Sequence, residues 1–198
     1  RGIREAIGAL KPWADRNPGL KPIHQKLRTT FAHLDGYLSL FTPFHRRLQQ
    51  QTTTFSGDDL HRYLTNLFKA RLAEHEIELS QSDAFRARQI TGYPSTFYPA
   101  FVNLVDNACF WLQGQRPPRR VELDAHGEAL LVRDNGPGVA RRDRERIFEA
   151  GFSRKPGGRG LGLRISRDVL GREGWTLAYE DAPGGGAQFA MTPKGNGP

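Results

Sequence analysis

The sequence predicts an α+β fold, a two-layer sandwich with helices on one face of a mixed sheet and a helical segment ahead of it. Three observations predict it. Apolar helical stretches are interspersed with short alternating strands from about residue 52 onward. A glycine-rich stretch lies inside that region rather than at its edge. Upstream, apolar residues recur at helical spacing.

Each element follows in turn. Residues 1–20 are mixed, and Pro12, Pro18 and Gly19 interrupt any long helix. From Pro22, the residues Ile23, Leu27, Phe31, Leu34, Leu38 and Phe41 repeat every three or four positions, as in a coiled coil. Such a stripe needs a partner helix. Packing on the chain's own core and a dimeric bundle both provide one, and the bundle is favoured. Pro43 ends or kinks this helix.

Residues 50–57 are polar and read as a linker. Asp58 or Asp59 caps a helix with Leu60, Leu64, Phe68 and Leu72 on one face. Ile77 and Leu79 alternate with polar neighbours as in a half-buried strand, and residues 85–90 read as a second strand. An apolar helix is expected from about Ser95 to Leu112. A hairpin of 121–124 and 129–133 turns at His126 and Gly127. Glycine, proline and charge dominate 134–160. A helix over 161–172 and strands at 175–180 and 188–192 close the chain, the strands joined by Pro183, Gly184, Gly185 and Gly186.

The 198 residues suffice for one good core, and the 37% hydrophobic and 25% charged content is ordinary for a soluble protein. No apolar run is long enough to cross a bilayer, and no signal-peptide pattern is present. The chain opens on Arg1 rather than Met, the start expected of a piece of something longer. The single Cys109, in an apolar stretch, reads as a buried structural thiol in a reducing, cytoplasmic compartment. The net charge of +8 is scattered, without aromatic residues interleaved, so a polyphosphate ligand or an acidic partner accounts for it better than nucleic acid does.

Four clusters carry chemistry. Asn103 and Asn107 lie four apart on a helix, so both amides project from one face and offer neutral oxygens to a hydrated divalent cation. Alone, two such residues are ordinary solvated side chains. Asp134, Asn135, Gly136, Pro137 and Gly138 follow a strand; a carboxylate there can accept from an exocyclic amine, although the same string can be a plain turn. Gly157, Gly158, Gly160, Leu161 and Gly162 lead into a helix, where backbone amides suit phosphate. The fourth cluster is Ile147, Phe148 and Glu149, followed by Phe152, Ser153, Arg154 and Lys155.

In this order and spacing the four resemble the asparagine, glycine and phenylalanine boxes of the superfamily that joins histidine kinases to gyrase, heat-shock chaperone and mismatch-repair ATPases. The resemblance runs over residues 55–193. It implies a Bergerat-type ATP-binding fold over 52–198, with 1–51 as the end of a helical dimerisation and phosphotransfer region. By that resemblance Asn107 ligates Mg²⁺ on the phosphates of ATP and Asn103 supports the phosphates or the metal. Asp134 takes the adenine amine, with Gly136 and Gly138 allowing close approach. Gly158, Gly160, Leu161 and Gly162 contact phosphates. Residues 140–159 form a mobile lid from which Arg154 and Lys155 neutralise the γ-phosphate.

One position separates the branches. The hydrolytic members are similar in carrying a water-activating Glu four residues before the metal-binding Asn, and here that position is Asn103, which cannot act as a base. The resemblance therefore implies an autophosphorylating protein histidine kinase of a two-component system, working as a homodimer with a response regulator. A degenerate homologue using ATP as a conformational ligand and an ATPase clamp are the alternatives. Related kinases often carry a basic residue shortly after the Asn-Ala pair. Here Phe110, Trp111 and Leu112 stand there, so the contact is missing or comes from the lid. His24 and His33 are weak acceptor candidates, and the acceptor is expected outside this chain.

Overall fold

A computed structural model describes residues 2–25, 27 and 52–195. The chain divides into two compact units, residues 1–49 and 50–198. In the first, α1 (Gly2–Ala9) is followed by α2 (Lys11–Arg16), and residues 21–25 are helical again. The helices are short, as the prolines require. Ala14 is buried in this unit, and His24 Nε2 lies 2.8 Å from the Ile7 carbonyl. The apolar stripe from Phe31 onward, His33 and Pro43 lie outside the described residues.

The second unit is the α+β sandwich. Its main sheet has five strands in the order β2 (Ile77–Gln81), β4 (Arg119–His126), β5 (Ala129–Asp134), β7 (Ala187–Pro193) and β6 (Trp175–Asp181). β2 runs parallel to β4 and every other pairing is antiparallel, so the sheet is mixed. The β4–β5 hairpin pairs His126 with Ala129, and Gly127 takes the positive φ of its tight turn.

Three helices complete the sandwich: α3 (Gly57–Glu74), α5 (Pro94–Leu112) and α6 (Gly162–Arg172). Leu60, Leu64, Phe68 and Leu72 form the buried stripe of α3. They join Phe97, Phe101, Leu104, Val105, Ala108 and Leu112 of α5 in one core with Val121, Leu123, Leu130, Val132 and Met191 from the sheet. α5 is the most apolar of the three because it lies at the centre of this layer. Pro94 opens it at a position where a missing N–H costs nothing.

Three expectations need correction. The cap of α3 is Ser56, not Asp58 or Asp59; its hydroxyl accepts from the Asp59 N–H while Asp59 Oδ2 accepts from the Ser56 N–H, a reciprocal capping box. The polar residues before it are not all linker. β1 (Thr53–Ser56) pairs antiparallel with β3 (Gln89–Gly92), because threonines suit an exposed two-stranded ribbon as well as a loop. Residues 85–90 are not one strand: Ser82 caps a one-turn helix α4 (Asp83–Ala87), which buries Phe85 before β3 begins.

Candidate functional site

A cleft of about 730 Å³ opens between α5, the start of α6, the end of β5 and residues 137–163. Of the residues to which the resemblance gives a part in binding, all but Gly136 lie on its wall: Asn103, Asn107, Asp134, Gly138, Arg154, Lys155, Gly158, Gly160, Leu161 and Gly162; Asn135, Phe148, Glu149 and Gly157 of the four clusters do not.

Asp134 occupies one end. It closes β5 opposite Ala187 of β7 and is 8% exposed. Its Oδ1 accepts from the Gly136 N–H at 2.9 Å and the Ala187 N–H at 3.4 Å, while Oδ2 accepts from none of the described residues. Burial pushes its pKa above the usual aspartate value, and the two N–H groups only partly restrain that rise. A buried, oriented carboxylate in an apolar recess is a recognition group for a donor. Gly136 sits behind the carboxylate rather than on the wall, because its N–H turns inward to grip Oδ1. The β6–β7 turn presses from the other side. Gly186 has φ +101°, and a Cβ there would overlap the Asp134 carbonyl, so only glycine lets the turn lie this close.

The opposite end is built from glycine and charge. Gly160 takes φ +63°, and a side chain there would collide with the Phe152 backbone, which folds the loop back on itself. α6 then starts at Gly162 with no side-chain cap, leaving first-turn N–H groups for an anion. Asn103 Nδ2 donates to Ser166 Oγ at 3.0 Å and to the Gly162 carbonyl at 3.4 Å, tying α5 to the first turn of α6. Asn107, one turn along α5, lies on the wall beside it.

The lid of residues 140–159 is less loose than the sequence suggests. Two 3₁₀ turns, Arg141–Asp143 and Arg146–Phe148, bury Ile147 and Phe148, and Phe148 meets Phe189 of β7 edge-on. The Tyr179 hydroxyl accepts from the Val139 N–H at 3.0 Å and donates to Asp181 Oδ1 at 2.9 Å. Arg144 bonds the same Asp181 oxygen and the Val139 carbonyl.

Arg154 and Lys155 of the lid are both held by carboxylates. Arg154 grips both oxygens of Asp143, at 2.8 and 3.2 Å, and that pairing holds the Asp143 carboxyl below its usual range. Lys155 Nζ donates to Asp106 Oδ2 at 3.0 Å and stands 4.8 Å from the Phe110 ring centre. Asp106 also receives Arg71 of α3 on Oδ1 at 2.6 Å. Burial raises the Asp106 carboxyl, but Lys155 and Arg71 outweigh it and hold its pKa low. Burial lowers that of Lys155.

Sequence reasoning missed several of these partners. Trp111 and Arg142 line the cleft, and an aromatic face there suits a planar ring. Asp106 stood inside the asparagine cluster without a role, and nothing local marked Arg71, 35 residues upstream, as its partner. Cys109 is buried, with its thiol pushed up to about 11, as expected of an inert side chain. Among the described residues no cluster of three or more His, Cys, Asp or Glu could hold a metal.

The family model described as "Histidine kinase-, DNA gyrase B-, and HSP90-like ATPase" matches residues 92–196, and a second, described as "HEF_HK domain", matches residues 1–50. Sensor protein kinase CarS of Pseudomonas aeruginosa is 37% identical over 95 residues, 45% of this chain and 20% of that protein. Sensor histidine kinase ZraS of Salmonella typhimurium is 26% identical over 194 residues, 93% of this chain and 41% of that one. Both curated relatives are thus more than twice as long as the stretch matched. The solved structure of full-length ShkA in complex with AMPPNP is similar in fold, with a TM-score of 0.68 and 22% identity, covering 98% of this chain and 44% of that one.

Proposed function

Because the chain belongs to the histidine kinase-, DNA gyrase B- and HSP90-like ATPase family, we propose that it is the ATP-binding part of a two-component sensor histidine kinase. In this reading residues 52–198 are the catalytic domain and residues 1–51 end the dimerisation helices. The full protein autophosphorylates as a homodimer in the cytoplasm and passes the phosphoryl group to a response regulator. No helix among the described residues is long and apolar enough to cross a membrane.

The observation that carries the reading is the state of the acids on the cleft wall. They are Asp106, Asp134 and Asp143. Asp106 is covered by Arg71 and Lys155, Asp143 by Arg154, and Asp134 lies in the recess held by Gly136 and Ala187. Asn103, where a hydrolytic enzyme needs a carboxylate, spends its amide on Ser166. No wall carboxylate stands ready to deprotonate water, so hydrolysis has no base. An imidazole acceptor needs none, being a neutral nucleophile near pH 7.

The chain's own residues divide the labour. Asp134 Oδ2 accepts the adenine amine and Trp111 covers the ring. Gly158, Gly160, Leu161 and Gly162 present backbone N–H groups to the phosphates, Asn103 fixes the start of α6 beneath them, and Lys155 and Arg154 bring charge from the lid. Asn107 would hold Mg²⁺ through its amide oxygen, a neutral ligand that suits a hydrated divalent ion, and the metal would offset charge on the phosphates. His24 commits a ring nitrogen to the Ile7 carbonyl as a donor and has no lone pair to attack with there.

Incubation of the full-length protein with γ-labelled ATP tests this. Acid-labile label on protein is the expected result. Free phosphate without label is the outcome for a clamp ATPase, and binding with neither is that for a degenerate homologue. Asn107→Asp should abolish labelling, since a second negative charge beside the phosphates repels them; normal labelling would overturn the site.

A further inference from the structure

The cations of the cleft wall are not equivalent. Arg142 and Arg159 are exposed on the lid, and Arg154 is paired within the lid, with Asp143. Lys155 alone crosses from the lid to α5, the helix of Asn103 and Asn107, with its side chain only 20% exposed. There its ammonium meets one oxygen of Asp106 and the face of Phe110. A lysine on a glycine-rich loop would otherwise stay in water, because its flexible stem loses rotamer freedom when fixed.

The other oxygen of Asp106 is occupied by Arg71 from α3. Two cations therefore share one carboxylate, one on each oxygen, and the trio carries a net positive charge. Each part has a separate effect. Arg71 fixes the carboxylate's direction, Asp106 draws Lys155 down, and Phe110 leaves room for a charge over its ring instead of supplying one. An ammonium has three N–H donors and Asp106 takes one, so Lys155 keeps donors for an anion in the cleft.

We propose that Asp106 is a positioning residue: it latches the lid to α5 through Lys155, so that this ammonium meets the terminal phosphate of a bound nucleoside triphosphate and distinguishes it from a diphosphate. The assignment rests on the ATP site proposed above. It gives Asp106 and Arg71 a part in the site, and it makes lid closure depend on an ion pair between elements 49 residues apart.

The full chain, with Asp106→Asn, Lys155→Met and the double variant, tests this by titration with Mg-ATP and Mg-ADP and by the rate of trypsin cleavage after Arg159. Each single variant should bind ATP about tenfold more weakly, the worth of one charge-assisted hydrogen bond. ADP affinity should fall less than about twofold, because the terminal phosphate is absent. The double variant should be no weaker than Lys155→Met, since both break the same contact. Cleavage after Arg159 should speed up in all three, and Asp106→Glu should restore part of the protection.

Equal losses for ATP and ADP, additive losses in the double variant, or unchanged cleavage would each overturn the latch. Should Asp106→Asn melt below the assay temperature, Lys155→Met, which replaces a lid residue outside the core, decides through cleavage after Arg159, and an unchanged rate overturns the latch. Wild-type chain that binds neither nucleotide, or is indifferent to Asn107→Asp, overturns the ATP site itself, a result separate from failure of the latch.

Discussion

The two ends of the cleft are built on different principles. At the Asp134 end the carboxylate is buried and held by two backbone N–H groups within the sheet, and the turn at Gly186 closes behind it. At the lid end the protein's own charges hold each other, Arg154 with Asp143 and Lys155 with Asp106. Backbone N–H groups inside a sheet fix an oxygen in one place, whereas an ammonium held on one carboxylate oxygen still has donors to give an anion. The base end is therefore fixed before a ligand arrives, and the phosphate end is charged and aimed by internal carboxylates.

The largest test of the fixed end is Gly186→Ala. A methyl group must displace the Asp134 carbonyl in a backbone region that alanine avoids, so stability should fall by about 3 kcal/mol or more in a urea titration. A loss under 1 kcal/mol would mean the turn yields, and the contrast between the ends would be blurred.

Next is Asp134→Asn. The N–H groups of Gly136 and Ala187 demand an oxygen at the Oδ1 position, which turns the new amide NH₂ toward the cleft. A donor then faces the adenine amine, and affinity for ATP should drop about a hundredfold. A 6-oxo purine nucleotide presents an acceptor there and should lose far less. Equal loss of both would show that Asp134 does not read the base.

Acidification should separate the ends. Asp134 holds its proton to a higher pH than an ordinary aspartate, and Asp106 only to a lower one. The stability tied to the depressed Asp106 group is present above the unfolded-state value and lost as pH falls through the folded one. Folding disfavours the ionised form of Asp134, so its contribution has the opposite sign and is lost as pH rises through the folded value. As pH falls, Asp134 protonates first: adenosine affinity should decline, by at most about tenfold per pH unit, while trypsin protection of the lid persists. Loss of lid protection before adenosine binding would reverse the assignment.

The smallest effect belongs to Tyr179→Phe. It removes the acceptor for the Val139 N–H and one partner of Asp181, worth about 1 kcal/mol, and should speed lid cleavage about fivefold with little change in affinity for adenosine. A large loss of adenosine affinity would mean that the hinge also shapes the base recess.

Much of the fold was legible because its long elements carry strong periodicity: α3, α5, α6 and the closing strands lie within a residue or two of where the apolar spacing puts them. The short elements were not. α4 is a single turn made by Ser82 and one buried Phe85, and β1 exists only because β3 pairs with it. Neither fact is local. The same divide runs through the site. Asn103, Asn107, Asp134 and the glycines are adjacent in sequence or regularly spaced, so their pattern could be read. The partners that orient them, Arg71 for Asp106, Ser166 for Asn103, Ala187 for Asp134 and Tyr179 for Val139, come from 35 to 63 residues away. Gly136 was read, through the resemblance, as allowing close approach of a ligand; that its N–H turns onto Asp134 Oδ1 is a matter of backbone dihedrals, which spacing does not report.

The segment over the cleft is moored at both ends, by Tyr179 and Asp181 near Val139 and by Asn103 and Ser166 at the start of α6. Between fixed moorings the entropy of a connecting chain grows only with the logarithm of its length, about 0.6 kcal/mol for each doubling. Evolution is thus free to lengthen or shorten the span without disturbing either anchorage. A single extra residue beside Val139 or Gly162 would shift an anchor and misalign the whole cover.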